Sequence, residues 1–238
     1  MRFLHAGDSA LIVELGNEIS PLINSKVRKI TEYLDSLKND FILDLLPTYR
    51  SVIIYYDPRK ISYEEMVELV SDNCDTSYQS MENVPKQVVE IPVLYGGEYG
   101  PDIETIAKHN KLTTDEVVQI HASRDYLVYM LGFTPGFPYL GGMSKKIATP
   151  RLKEPRKRIP AGSVGIAGEQ TGIYPLSSPG GWQLLGRTPL KIFNLQSDPH
   201  FLLEAGDTIR FVPIAKGEYE RIAQLVDTGK YKETRYRA

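Results

Sequence analysis

Cysteine is nearly absent. Cys74 is alone among 238 residues, which excludes an intrachain disulfide and a cysteine-rich zinc site. No apolar run approaches the length needed to span a bilayer. Neither charge sign dominates: 28 Lys+Arg stand against 30 Asp+Glu, net −2, so no global attraction to nucleic acid or an anionic membrane is expected. There is no G-x-x-x-x-G-K-[ST] phosphate loop, no His/Asp/Glu cluster at metal-ligand spacing, and no Met-Lys-Met biotin signature. Asp8 and Glu14 fall where a signal peptide needs its apolar stretch, so a cytoplasmic location is expected.

Glycine and proline are unevenly spread. Residues 132–189 hold 11 of the 19 glycines and 8 of the 16 prolines. The same window has eight Lys/Arg and two Glu, making it locally +6 against −8 for the remainder. Both residue types fix unusual backbone dihedrals, so this density marks a place where backbone shape is specified. Phe133, Phe137, Tyr139, Tyr174 and Trp182 are interleaved with them, which argues against a disordered segment. A turn-rich β structure around a cationic pocket fits the pattern.

The length suits one or two domains, and the hydrophobic and charged fractions are those of an ordinary globular chain. Ala10–Leu15 reads as a strand. Ser20-Pro21 then opens a helix whose apolar spacing runs through Leu22, Val27, Ile30, Leu34 and Leu37 to about Lys38. Phe41–Leu46 and Ser51–Tyr56 read as strands bent at Pro47-Thr48. Ser62 and Glu65 form a capping-box pattern ahead of a second helix. With Val88–Val93 as the last strand, the order is β-α-β-β-α-β, a ferredoxin-like split unit. The polar stretch Met81–Lys86 marks the boundary, giving an α+β fold with domains 1–84 and 85–238. His5 and Asp8 read as a satisfied histidine and a turn residue.

Asp102–His109 and Thr114–Ala122 read as two short helices with helix-turn-helix spacing. Asp115 and Glu116 open the would-be reading helix and would face phosphates unopposed. A helical hairpin packed on a sheet is therefore expected, and no nucleic acid. Further on, Tyr126–Leu131, Gly162–Ala167, Gly172–Tyr174, Trp182–Leu185, Leu190–Asn194 and Thr208–Val212 read as short strands of a barrel or sandwich. A closing helix is expected at Glu218–Val226, and Lys230–Ala238 reads as a solvated, mobile tail. Pro138 lies between Phe137 and Tyr139, aromatic neighbours that raise the chance of a cis bond.

Four runs carry a resemblance: Gly7-Asp8-Ser9-Ala10, the GFTPGFPYLGGM run, the basic run through IPAGSVGIAG to TGIYP, and SPGGWQLLGRTP. Together they resemble the 5-oxoprolinase B-subunit family, also called allophanate hydrolase subunit 1, which includes the histidine-kinase inhibitor KipI. The resemblance covers nearly the whole chain. It implies an N-terminal α/β domain followed by a cyclophilin-like β-barrel. Two partners are also implied, the carboxyltransferase-like C subunit and the LamB/YcsF-type A subunit of 5-oxoprolinase. The implied reaction is ATP-dependent opening of 5-oxo-L-proline to L-glutamate. Inhibition of a histidine kinase and allophanate chemistry are the alternatives within the family. Fold alone would not make such a barrel a prolyl isomerase.

Opening a lactam needs a grip on the carboxylate, polarisation of the amide oxygen, and a delivered water. Arg156, Arg158 and Arg187 are candidates for gripping a small carboxylate substrate; the alternative for the first two is a solvated basic loop, Arg151–Arg158. The backbone amides of Gly162-Ser163 and Gly180-Gly181 are candidates for an anion nest, or are simple tight turns. Ser163 lacks a histidine in the window to activate it as a nucleophile. Gln170 and Tyr174 can hydrogen-bond to a ligand. Glu169 is a general-base candidate or an exposed turn residue. Trp182, Phe133 and Phe137 wall a pocket or pack a core. The catalytic residue is not identified and no metal ligand is expected. The missing groups, including any ATP site, are expected from partner chains.

Overall fold

The structure is a computed structural model, and it describes residues 1–74 and 87–237. It divides into two compact units, Met1–Val84 and Pro85–Ala238. The expected boundary stretch Met81–Lys86 lies outside the described residues.

The first unit contains β1 (Arg2–His5), β2 (Ala10–Glu14), α1 (Pro21–Ser36), β3 (Ile42–Pro47), β4 (Ser51–Tyr56) and α2 (Tyr63–Cys74). Its strands form one antiparallel sheet in the order β1-β2-β4-β3. Alternation along the strands sends Leu11, Val13, Val52, Ile54 and Tyr56 to one face. Val27, Ile30 and Leu34 of α1, with Met66 and Val70 of α2, cover that face. Pro21 occupies the first turn of α1, where its missing N–H costs nothing. Ser62 and Glu65 do form the reciprocal cap of α2. The expected closing strand Val88–Val93 is not part of this sheet. The edge beside β2 is taken by β1, a strand too short and exposed to show a pattern in sequence.

The second unit contains β5 (Gln87–Tyr95), α3 (Ile103–Asn110), α4 (Thr114–Ala122), β6 (Asp125–Leu131), β7 (Pro138–Gly141), β8 (Arg156–Ile159), β9 (Ser163–Ala167), β10 (Gln170–Ile173), β11 (Ser178–Gly180), β12 (Gln183–Arg187), β13 (Thr208–Pro213), α5 (Lys216–Asp227) and β14 (Arg235–Arg237). Seven strands close on themselves in the order β12-β9-β10-β7-β6-β13-β5, with β5 returning to β12. The fold is therefore α+β with a barrel. Nine-residue β5 explains where Val88–Val93 goes. One of its edges carries β13 in parallel register, and the other is shared by β14 and β12.

The helix pair expected from the sequence is present and packs into the barrel core through Ile103, Ile106, Ala107 and Val117. Thr113 and Glu116 close a capping box at the start of α4. Two expectations are corrected, and one open alternative is decided. Leu190–Asn194 is not a strand; only an isolated bridge, Phe193 to Phe201, forms there. The tail is not a free end: β14 adds to β5, and the Arg235 guanidinium donates to the Leu202 carbonyl. The cis bond among the described residues is Asp198–Pro199, whereas Phe137–Pro138 is trans.

The barrel wall has two apolar faces. Val164 and Ile166 of β9, Ile173 of β10 and Leu185 of β12 enter the large core. The alternate positions serve a second layer made of Phe137, Ile159, Ala167, Tyr174, Trp182 and Leu184. The two-stranded ribbon β8–β11 supplies Ile159 to that layer.

Candidate functional site

The glycine-rich motif builds this second layer. Phe137 makes edge-to-face contacts with Tyr174 and Trp182, at 5.3 and 5.4 Å between ring centroids. Glycines give the rings their space. A Cβ on Gly172 would lie 2.9 Å from the Phe137 ring, and one on Gly180 would lie 2.4 Å from the Tyr174 hydroxyl. Much of the motif's glycine content is thus room for aromatic rings. Phe137, Tyr174 and Trp182 are buried, while Phe133 is exposed and holds a φ of 63°.

The basic run crosses the same layer. The Arg151 guanidinium lies 6.0 Å from the centre of the Trp182 ring. Arg156 is committed elsewhere: one nitrogen donates to Asp102 Oδ1 at 2.6 Å, and another donates to the Trp182 carbonyl. The second oxygen of Asp102 accepts the Leu184 N–H at 2.7 Å. Arg156 therefore ties β8 to the start of α3 and to β12, so its fork is already engaged. Arg158 is exposed and donates to Ser177. Burial pushes the Tyr174 phenol up to about 12, against the lowering pull of a Trp182 backbone hydrogen bond and of Arg151 and Arg156. Tyr174 is a neutral hydrogen-bonding group at ordinary pH.

Of the two readings of Gly162-Ser163, the structure has the tight turn rather than the anion nest. The Gly162 N–H donates to the Tyr174 carbonyl at 2.7 Å, and the Ser163 N–H donates to the Pro160 carbonyl at 3.3 Å. Both amides are consumed by the turn. Gly162 sits at φ 80°, and a Cβ there would meet the Thr188 carbonyl oxygen at 2.4 Å, so only glycine fits. At Gly180-Gly181, Gly180 belongs to β11 opposite Arg156, and the Gly181 carbonyl accepts the Leu152 N–H. Gln170 begins β10 at the tip of the β9–β10 hairpin. Glu169 beside it is exposed and pairs with Lys145 at 3.2 Å, the geometry of a turn residue. Arg187 lies at the end of β12 with its guanidinium 5.2 Å from the centre of the Tyr99 ring. The structure thus groups Arg151, Tyr174 and Trp182, and sets Arg187 with Ser163 further along the same wall.

Sequence reasoning did not single out three residues. Arg151 was named only as the start of the basic loop Arg151–Arg158 and not as a ligand contact. Asp102 had no visible partner, since Arg156 lies 54 positions away. His121 is fully buried in the barrel core. Its Nε2 lies 3.0 Å from the Thr171 hydroxyl, which itself donates to the Gly165 carbonyl. A hydroxyl has one proton to give, so Nε2 carries the ring proton and Nδ1 accepts from the Tyr95 hydroxyl at 2.8 Å. Burial takes the His121 ring down to about 3. It is a structural relay rather than a general base.

Two clefts lie away from these groups. One of about 500 Å³ lies between α1 and β3, and one of about 190 Å³ lies beside Leu190, Asn194 and Tyr231. No helix among the described residues is long and apolar enough to cross a membrane.

Comparison with known proteins accounts for almost the whole chain. The carboxyltransferase domain family, subdomain C and D, matches residues 1–203. The chain is 45% identical over 223 residues to the 5-oxoprolinase B subunit of Bacillus subtilis, covering 90% of this chain and 92% of that protein. It is 38% identical over 212 residues to the 5-oxoprolinase B subunit of Escherichia coli O157:H7, covering 89% and 95%. Among solved structures, the urea carboxylase of Kluyveromyces lactis resembles it with a TM-score of 0.82 over 99% of this chain and 24% of that one. At 23% identity, that likeness concerns the fold alone.

Proposed function

Because the chain belongs to the carboxyltransferase domain, subdomain C and D, family, and within it to the 5-oxoprolinase B-subunit proteins, we propose that it works as the B subunit of a 5-oxoprolinase complex. The observation that carries this is the 45% identity extending over nine-tenths of both chains. The complex opens 5-oxo-L-proline to L-glutamate with hydrolysis of ATP, in the cytoplasm. Its other members are the LamB/YcsF-type A subunit and the carboxyltransferase-like C subunit. We read the two units of this chain as a ferredoxin-like sheet with a rearranged edge and a cyclophilin-like barrel.

This chain contributes binding rather than proton transfer. Arg151, Arg158 and Arg187 are not tied to carboxylates among the described residues, so they supply the positive charge for a small organic acid. Tyr174 and Trp182 shape the wall beside Arg151. Glu169, beside the β9–β10 turn, is paired with a lysine in solvent, Asp102 is held by Arg156, and His121 is sealed in the core. Activation of water and the cleavage of ATP fall to partner chains, and the chain alone is inactive.

Co-expression with the two neighbouring proteins of the complex, followed by a turnover assay, tests this reading. The assembled enzyme is expected to convert 5-oxoproline to glutamate only with ATP, and the isolated chain to do neither. A chain that forms no complex and instead suppresses autophosphorylation of a sensor histidine kinase would replace this reading with the inhibitor one.

A further inference from the structure

Arg187 is the anomaly of the barrel wall. It is half-buried, and its Nε is buried with no hydrogen-bond partner among the described residues. Its guanidinium faces the Tyr99 ring. Arg156, comparably placed on the same wall, is neutralised by Asp102. A guanidinium drawn partly out of water without a counter-charge is costly, and an anion from outside removes that cost.

A second unsatisfied group adjoins it. Ser163 is fully buried, and its hydroxyl has no partner among the described residues. Ser163 and Arg187 are directly opposite in the β9–β12 ladder, so their side chains leave the sheet on the same face. The backbone cannot satisfy either, because the Gly162, Ser163 and Thr188 amides are all committed to other carbonyls. Gly162 brings the turn up against this pair: a Cβ there would meet the Thr188 carbonyl oxygen at 2.4 Å, with Arg187 Cγ 3.4 Å away. On the other side, the Tyr99 and Tyr219 rings lie 4.8 Å apart. Arg187 opposes the rise that burial imposes on the Tyr219 phenol, which places that phenol within reach of the same charge.

We propose that Arg187 and Ser163 form an oxyanion-binding subsite, in which the guanidinium edge and the serine hydroxyl hold two oxygens of one carboxylate or phosphate group. A guanidinium presents parallel donors matched to such a pair. The identity of the oxyanion rests on the 5-oxoprolinase reading: it is the carboxylate of the lactam acid or the terminal phosphate of the nucleotide. The existence of the subsite does not depend on that reading.

The test is calorimetric titration of the full isolated chain at low salt with inorganic phosphate, ATP and 5-oxoproline. Saturable one-to-one binding of at least one is expected. Binding of phosphate and ATP without 5-oxoproline assigns the subsite to the nucleotide; the reverse assigns it to the acid. Arg187→Gln is expected to weaken binding by about tenfold or more, and Arg187→Lys, which keeps charge but loses the fork, by an intermediate factor. Ser163→Ala is expected to weaken binding about threefold while leaving the thermal midpoint unchanged or higher, because it deletes an unsatisfied buried hydroxyl. A purely structural serine would instead lower the midpoint and leave binding alone. Absence of saturable binding in the folded wild-type chain, or undiminished binding in Arg187→Gln, overturns the proposal. Loss of turnover in the co-expressed complex with anion binding intact would count against the 5-oxoprolinase reading only.

Discussion

In the first unit, Val27, Ile30 and Leu34 from one helix and Met66 and Val70 from another cover a four-stranded sheet. In the second unit, one face of the barrel wall is covered by aromatic rings lying against glycines. The first arrangement needs apolar residues at the right period and little else. The second also needs side chains to be absent at particular positions. The first unit is therefore built from what its residues bring, while much of the second depends on what its glycines leave out.

Alanine at glycine positions should expose this contrast most sharply. A Cβ at Gly100 would lie 2.1 Å from the Leu185 carbonyl oxygen, which is backbone in a barrel strand and cannot yield. Gly100→Ala should cost about 3 kcal/mol or more. In the first unit, a Cβ at Gly16 meets the tip of the Ile23 side chain at 2.4 Å, and that tip can rotate away. Gly16→Ala should cost under about 1 kcal/mol. Urea unfolding midpoints would decide, and equal costs would break the comparison.

Acid should separate the units next. His121 is lowered by burial from its ordinary 6.5 to about 3. The unfolded chain takes up this proton below pH 6.5, and the folded chain does not until about pH 3. Stability from the neutral ring is therefore complete above pH 6.5 and declines by about 1.4 kcal/mol per pH unit on the way down, or about 2 kcal/mol by pH 5. In the first unit, hydrogen bonds from Arg59 hold the Asp57 carboxyl at about 2, below its ordinary 3.8, so its acid sensitivity begins only near pH 4. Trp182 is the one tryptophan in the sequence, and its fluorescence follows the second unit alone. A thermal midpoint flat between pH 6.5 and 5 by that signal would contradict the buried relay, as would a His121→Gln variant with an unchanged slope.

Ion pairs should differ in the same direction. Arg156→Ala leaves Asp102, whose side chain is only 10% exposed, with an unmatched oxygen, and should cost about 2 kcal/mol. Arg50 lies 3.7 Å from Glu14 at the surface of the first unit, and Arg50→Ala should cost less than about 0.5 kcal/mol. Denaturation of the two variants in parallel measures the gap.

The smallest contrast should come from the helix caps, which should behave alike in both units. Ser62 caps α2 and Thr113 caps α4 by the same reciprocal bonds to a glutamate three residues on. Ser62→Ala and Thr113→Ala should each cost about 1 kcal/mol. A large difference between them would show that tertiary setting reaches even these local devices.

The Ser62–Glu65 cap was readable because both partners lie within one helical turn. The helices α1, α3, α4 and α5 and the strands β4, β6, β9 and β13 were readable too, since period and turn residues announce them. Strand partnership was not. Val88–Val93 was recognisable as a strand, but nothing local says that it joins β13, β12 and β14 rather than the first sheet. Arg235–Arg237 looks like a solvated tail because a three-residue edge strand has no pattern of its own; the free edge of β5 orders it. The shape-specifying role of the glycine-rich run was legible in its composition. The division of labour among its arginines was not, because Asp102 and Arg156 meet across 54 positions.

The sequence by itself determined the helices and their caps, the split into a patterned first part and a glycine-rich second part, and the local positive charge of residues 132–189. These follow from spacing and composition, which act over a few residues. Tertiary structure decided which arginine is neutralised and which is left without a partner, which amides a turn consumes, and which strand closes the barrel. Those outcomes depend on cross-strand register and on burial, and both arise only when segments far apart in the chain are brought together and water is removed from between them.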